Sequence, residues 1–347
     1  MVLKIKEAWI PERLKFEQAG RTNSIAIPQV NPLRRIVADV YIEVKAGTTP
    51  PTGRKHNHFR NFIQGLRLMM NADDVKFHWT GVMKAEIDRF EFGTDIVEDG
   101  IAEPTATKNA KYHIQFLFDF STDRKSLSVT DAILDGPNLS SLRFYCDWGT
   151  VSDIWTTPGT ASIVETGTYV EFSMQECYDN GIEAGPNEIM LADALANRID
   201  IREQVSTPVE IDQAHKSFGT DEQRVKLLPV PALFLTQVYY TATNKTDGNP
   251  EPSDDVVDFV NVSNIQSSGE PIMLNKWDKL IAQNKLDFGL EERPTGFYYL
   301  AWTDQRQGGL QNYEDDALKL RLLTQAPATS KKNQIQVFTR YIPRAVR

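Results

Sequence analysis

Two halves of this chain repeat the same landmarks in the same order. Asp39-Val40-Tyr41-Ile42-Glu43-Val44 returns as Gln237-Val238-Tyr239-Tyr240-Thr241-Ala242, and Trp79 returns as Trp277. The offset is 198 residues for both pairs (41 to 239 and 79 to 277). Behind each Trp a short helix-like stretch closes on Phe-Gly, at Phe92-Gly93 and at Phe288-Gly289. Ahead of each Val-Tyr lies a strand-like run broken by two prolines: Ile25-Ala26-Ile27-Pro28 with Pro32, and Leu227-Leu228-Pro229 with Pro231. Four landmarks in one order point to one fold built twice.

With 347 residues the chain has room for two domains of roughly 150 residues, each able to bury a core without disulfide or metal staples. Its two cysteines, Cys146 and Cys177, form no disulfide framework and lack zinc-ligand spacing, so they read as small buried hydrophobes. No N-terminal stretch has the form of a signal peptide, and no run is long and apolar enough to span a bilayer. A net charge of −9 argues against a body that wraps nucleic acid, which carries a basic excess. The ends differ from the body. Lys4, Lys6, Arg13 and Lys15 are interleaved with Leu3, Ile5, Trp9, Ile10 and Leu14, and Arg340, Arg344 and Arg347 close the chain. These segments read as solvated tails with a few anchors, or as arms that touch an anionic lipid surface or a neighbouring subunit.

Strand signals dominate. Apolar residues alternate with polar ones at Val75-Phe77-Trp79, Tyr112-Ile114-Phe116-Phe118-Phe120, Val170-Phe172-Met174, Leu318-Leu320-Leu322 and Ile335-Val337-Thr339. Period two puts one face of each strand on a core. Leu117 adds an apolar residue to the opposite face, as expected for a sandwich packed against another. Helix signals are few. Val82–Phe90 carries Met83, Ile87 and Phe90 on one side with Thr80 as cap, and Asn275–Lys285 does the same with Trp277, Leu280 and Ile281. A third stretch, about 187 to 198, has Leu191, Leu195 and Ile199 at four-residue spacing and reads as the connector between copies. Long loops rich in Gly and Pro run over 45–57, 94–111, 244–255 and 303–316, and binding surfaces concentrate on such loops. Many short strands, long loops and few helices spell an all-β fold, best met by two tandem eight-stranded antiparallel jelly rolls.

Catalytic patterns are absent: no phosphate loop, no dinucleotide-binding glycine pattern, no nucleophile elbow, no His-Glu-x-x-His. His56-Asn57-His58 is the one cluster with metal-ligand spacing, but no Glu follows over 60–65, and a polar junction into a strand is the plainer reading. Acidic clusters at Asp73-Asp74, Glu98-Asp99, Asp254-Asp255 with Asp258, and Glu314-Asp315-Asp316 offer hard oxygen ligands for structural calcium, although none has helix-loop-helix calcium spacing and solvated faces explain them more simply. No catalytic, cofactor-binding or metal residue is assigned. Trp9, Phe16, Trp148 and Trp155 are the candidates for interface aromatics, with the loops 45–57 and 244–255 on an outer surface.

Pro294-Thr295-Gly296-Phe297-Tyr298-Tyr299, followed by Leu318-Lys319-Leu320-Arg321 and the closing strand Ile335–Tyr341, is similar to the final hairpin of phage capsid proteins. Ser24–Pro28 resembles the opening strand of the smallest of these. With the duplication, the chain resembles the double jelly-roll major capsid proteins of tailless, membrane-containing icosahedral viruses, a lineage that includes adenovirus hexon. The resemblance implies an N-terminal arm plus first jelly roll over 1–182, a helical connector over 183–205, and a second jelly roll with a basic tail over 206–347. It implies a structural protein without enzymatic activity or cofactor, located in the virion and assembled in the host cytoplasm. Its trimers would form pseudo-hexagonal capsomers tiling a shell over an internal membrane. Partners would be neighbouring capsomers, minor capsid and membrane proteins and the lipid surface, with no direct nucleic acid. The rival expectation is a β-sandwich carbohydrate-active enzyme or glycan-binding protein using Asp73, Asp74, Asp254 and Asp255.

Overall fold

The computed structural model describes residues 2–92, 98–99, 102–124, 129–183, 185, 188–227, 232–244, 250–264, 271–290, 292, 294–302, 312–313, 318–328 and 331–343. The chain divides into two compact units, Met1–Ile201 and Arg202–Arg347. The division falls inside the 183–205 stretch read as a connector. Gly93, Pro229, Pro231, the loop residues 303–311 and 314–316, and Arg344 and Arg347 lie outside the described residues.

The first unit runs β1 (Leu3–Lys15), β2 (Thr22–Ala26), β3 (Leu33–Lys45), α1 (His58–Phe62), β4 (Ile63–Met70), β5 (Asp74–Trp79), α2 (Gly81–Phe92), β6 (Ala110–Asp119), β7 (Leu142–Trp148), α3 (Val151–Ile154), β8 (Tyr169–Asp179) and α4 (Leu191–Ala196). All pairings are antiparallel and make two sheets, in the orders β1-β8-β3-β6 and β2-β7-β4-β5. Alternation builds these strands. On β3 the side chains Ile36, Ala38, Val40, Ile42 and Val44 are buried while those between them are half-exposed, and β6 repeats this with Tyr112, Ile114, Phe116 and Phe118. The basic, apolar opening segment is therefore no loose tail: it is the first strand of the sandwich.

Aromatic rings fill the space between the two sheets. Phe77 and Trp79 meet Phe118 at ring-centroid distances of 6.0 and 4.5 Å, and Phe118, Phe144 and Phe172 continue the chain at 5.2 and 4.8 Å. Each such ring contributes roughly 1.5–3 kcal/mol by burial, and each pair about 0.5–1.5 kcal/mol more. Helix α2 extends the expected 82–90 stretch at both ends. The Met83 N–H donates to Thr80 Oγ1 at 3.2 Å, and Met83, Ile87 and Phe90 are buried as expected. Its polar side is buried too. Lys84 and Arg124 both hold Asp88, Arg124 also holds Glu91, and Arg60 from α1 holds Glu86 at 3.1 Å. The Lys84 ammonium lies 4.6 Å over the Trp79 ring. Glycine opens the helix because a Cβ at Gly81 would come within 2.5 Å of the Arg60 carbonyl oxygen.

The second unit runs β9 (Arg202–Val205) and β10 (Val209–Ile211), two pieces of one strand, then β11 (Gln223–Val225), β12 (Ala232–Asn244), β13 (Val257–Asn264), β14 (Pro271–Lys276), α5 (Trp277–Asp287), β15 (Phe297–Ala301), β16 (Leu318–Thr324) and β17 (Lys332–Pro343). Its pairings follow the first unit strand for strand: β9 and β10 pair β17, β17 pairs β12, β12 pairs β15, and the second sheet is β11-β16-β13-β14. In both units one helix follows the fifth strand. This is one jelly-roll template used twice. Tyr239, Val260, Val262, Trp277, Ile281, Tyr298, Leu320, Leu322 and Val337 share the second core.

The repeat has one phase slip. A bulge between Phe234 and Thr236 turns Tyr239 into the core, whereas Tyr41 stands on the outer face of its sheet. A one-residue shift moves a strand's whole side-chain set to the other face, so landmarks that align in sequence point opposite ways.

Candidate assembly surface

The outer face of the first unit's β1-β8-β3-β6 sheet carries a row of internally paired polar and aromatic groups. Tyr41 stacks on His113 at 4.5 Å with ring planes 4° apart, and lies 5.0 Å from Tyr169; both are its direct cross-strand partners. The Arg13 guanidinium sits 4.3 Å over the Tyr169 ring and pairs with Glu171. Asp39 accepts from the Gln115 amide at 2.9 Å and bonds His113 Nε2 at 2.8 Å. Burial, then the Asp39 and Glu171 charges, push the Tyr41 phenol above its ordinary value. The row Arg13-Tyr169-Tyr41-His113 thus spans four strands with its charges compensated. A surface of this kind can lie against another without burying an uncompensated charge.

Two strands of the fold are edges that carry exposed apolar residues. β1 ends its sheet, and its stretch Leu3–Ile10 pairs with β8 without interruption before the ladder shifts near Pro11. Trp9 on this edge is 62% exposed. The Val2 and Leu3 N–H groups donate to the Ile182 and Ile189 carbonyls at 3.0 and 2.9 Å, which brings exposed Ile182, Ile189 and Met190 beside the start of β1. In the second unit β14 is an edge, with Leu274 52% exposed and Ile272 and Met273 half-exposed.

Of the expected interface aromatics, Trp9 alone is on the surface. Phe16, Trp148 and Trp155 are buried. Phe16 packs edge-on to Trp148 at 5.6 Å, and the Trp155 indole donates to Glu103 at 2.8 Å. Trp148 continues the buried face of β7 after Leu142, Phe144 and Cys146, and rings of α1 complete the packing: Phe62 lies 6.0 Å from Phe16 and 5.7 Å from Trp148, and Phe59 lies 6.2 Å from Trp155. The loop 45–57 is built, not slack: Thr52–Arg54 pairs with Trp155–Thr157, and the Thr49 N–H donates to Thr160 Oγ1 at 2.8 Å. In the loop 244–255, residues 245–249 lie outside the described residues, while Pro250–Pro252 pairs with β12.

Of the metal and carboxylate candidates, Asp254 and Asp258 have structural employment. His58 opens α1 instead of lying on a strand, and Asn57 between the two histidines has φ 61°, so the cluster does not form the strand pair that His-x-His spacing suggests. Asp254 accepts from the Gly296 N–H at 2.7 Å and from the Trp277 indole at 3.2 Å. Gly296 has φ +72° and no room for a Cβ, which would meet the Thr241 carbonyl oxygen at 2.5 Å. Asp258 accepts from the Gln325 amide at 2.7 and 2.8 Å. Glu314, Asp315 and Asp316 lie outside the described residues. Among the described residues no group of three His, Cys, Asp or Glu side chains is placed to hold a metal ion. Cys146 and Cys177 are free and buried; burial pushes the Cys177 thiol up to about 12. Sequence reasoning missed the buried charges of α2, although the Lys84–Asp88 spacing of four residues was a visible signal. It also missed the β14 edge.

No protein-family model matches the chain, and no curated protein matches it. Solved structures do. The STIV MCP matches with TM-score 0.70 and 14% identity, over 98% of this chain and 97% of that one. A chain from the atomic structure of Sulfolobus Turreted Icosahedral Virus matches with TM-score 0.71 and 12% identity, over 98% and 91%. The major capsid protein of bacteriophage PM2 matches with TM-score 0.56 and 11% identity, over 98% and 99%. Strand order in both units, and a match that runs the length of the chain, agree: this protein has the double jelly-roll fold of viral major capsid proteins.

Proposed function

We propose that this chain is a viral major capsid protein whose trimers form pseudo-hexagonal capsomers of an icosahedral shell. One observation carries the reading: both units have the same jelly-roll topology, and the likeness to capsid proteins covers 98% of this chain. Three chains with two like sandwiches each supply six similar blocks, which suits near-hexagonal tiling. The work of such a protein is burial between subunits, in interfaces that often exceed about 2,000 Å². The paired outer sheet face and the exposed edges suit that work, and Asp254, one of the carboxylates named for an enzyme, holds the Gly296 turn and the Trp277 indole instead. The same reading brings neighbouring capsomers, minor capsid and membrane proteins and an underlying bilayer as partners, and the virion as location. The test is the mass of the purified protein in solution, followed by electron microscopy of what it assembles into. A trimer or larger species with hexagonal outlines is expected. A monomer that turns over a polysaccharide overturns the reading.

A further inference from the structure

A cleft of about 500 Å³ opens in the first unit, between α4 with the residues that follow it, the 133–139 turn, and Met70 and Lys76 of the β4–β5 hairpin. That volume lies in the range of small-molecule sites, roughly 300–1,000 Å³. The walls are tied to each other. The Ile199 N–H donates to the Asp131 carbonyl at 2.8 Å, and the buried Lys76 ammonium bonds Asp200 at 2.5 Å. The cleft is therefore held open by the fold and needs no ligand to form it. Most of its lining is apolar. Met70, Ile133 and Leu134 are buried, whereas Leu139, Leu195 and Ile199 are half-exposed. A ligand with an apolar chain would take the surface of those three out of water.

Four charged residues share the lining: Lys76 with Asp200, and Arg198 with Asp135 at 3.3 Å. Lys76 and Asp200 hold each other, and Asp135 also accepts from the Asn138 amide at 2.8 Å. Arg198 differs from them. Its guanidinium donates to the Leu195 carbonyl at 2.5 Å and faces Asp135, its side chain is 42% exposed, and its remaining N–H groups have no partner among the described residues. Spare, forked donors beside an apolar wall suit a planar anion with a hydrocarbon tail. The carboxylates of Asp135 and Asp200 on the same lining repel a doubly charged phosphate more than a singly charged carboxylate, which selects the latter.

We propose that this cleft binds an amphipathic monoanion, a carboxylate with a short linear apolar chain, with the carboxylate on Arg198 and the chain along Leu139, Leu195 and Ile199. The site stands whether or not the chain builds a shell. The test titrates the whole chain calorimetrically with decanoate, and with decanol and decyltrimethylammonium as probes of the same chain with no charge and with the opposite charge. One decanoate per chain is expected, with decanol bound at least tenfold more weakly and no saturable binding of the cation. Arg198→Met keeps the reach of the side chain and removes its charge. It is expected to weaken decanoate roughly tenfold to hundredfold and to leave decanol unchanged. Leu139→Trp fills the cleft from its half-exposed wall and is expected to abolish binding of both. Decanoate should also raise the thermal midpoint of the unmodified protein, and that of Leu139→Trp should not move. The comparison of decanoate with decanol on the unmodified protein needs no variant to fold. Absence of saturable decanoate binding, equal affinity for decanoate and decanol, or decanoate held as tightly after either substitution overturns the site.

Discussion

The third strand of each sandwich is the same element with different surroundings. β3 is buried on one face and half-exposed on the other, where Tyr41 stands among paired polar groups. β12 is buried on both faces from Phe234 to Ala242, and Tyr239 donates its hydroxyl to Gln237 at 2.9 Å inside the core. One topology therefore supports two kinds of sheet: one open to a partner, one closed. The polar content moves accordingly. The first unit buries its ion network under the α2 helix, whereas Trp277 and Gly296 of the second lean on the single carboxylate of Asp254.

The sharpest way to break this contrast is to truncate the two tyrosines that the repeat aligns. Tyr239→Ala should cost roughly 3–5 kcal/mol of stability as a core cavity, while Tyr41→Ala should cost roughly 0.2–1 kcal/mol as a lost cross-strand pair. Urea midpoints at constant slope measure both, and equal losses would mean that the faces have been misassigned. Next in size, Arg124→Met leaves Asp88 and Glu91 buried beside fewer cations. A loss of about 3 kcal/mol is expected, with hydrogen exchange rising in the first unit and not in the second. Asp254→Ala then removes the acceptor shared by the Trp277 indole and the Gly296 N–H. It should cost roughly 1–3 kcal/mol, with faster exchange confined to the second unit.

The smallest effect is a pH dependence in the first unit. Burial, with Arg67 adding repulsion, holds the His78 imidazole below its ordinary 6.5. The unfolded chain then takes up a proton that the folded chain refuses, so stability is fully present above 6.5 and falls as pH drops through the folded value. His78→Gln should flatten the midpoint profile between about pH 7.5 and about pH 5.5, and an unchanged slope would show that other groups carry it.

Much of the architecture was legible because it rests on short-range chemistry. Period-two runs at 112–118 and 170–174 mark strands with one buried side, and the run at 335–339 marks a strand that is buried on both faces from Val337 on. The Thr80 cap with Met83, Ile87 and Phe90 marks α2, and the aligned Trp residues mark the duplication. The assembly surface was legible only in Trp9. Phe16, Trp148 and Trp155 have the same aromatic chemistry and are core, because Phe59 and Phe62 of α1, distant from them in sequence, pack against them.

By itself the sequence determined that this chain is a tandem of strand-rich units, since alternation, capping and repetition act through neighbours a few residues apart. Tertiary structure alone decided which way each face points, which charges are buried and which edges are left bare. The bulge at Phe234–Thr236 inverts Tyr239 relative to Tyr41; Arg124 reaches Asp88 from beyond the end of β6; and β14 is an edge only because no described strand of its own unit pairs with its second side. Those outcomes depend on hydrogen-bond partners dozens of residues away, whose pairing register is a property of the folded sheet and not of any local pattern.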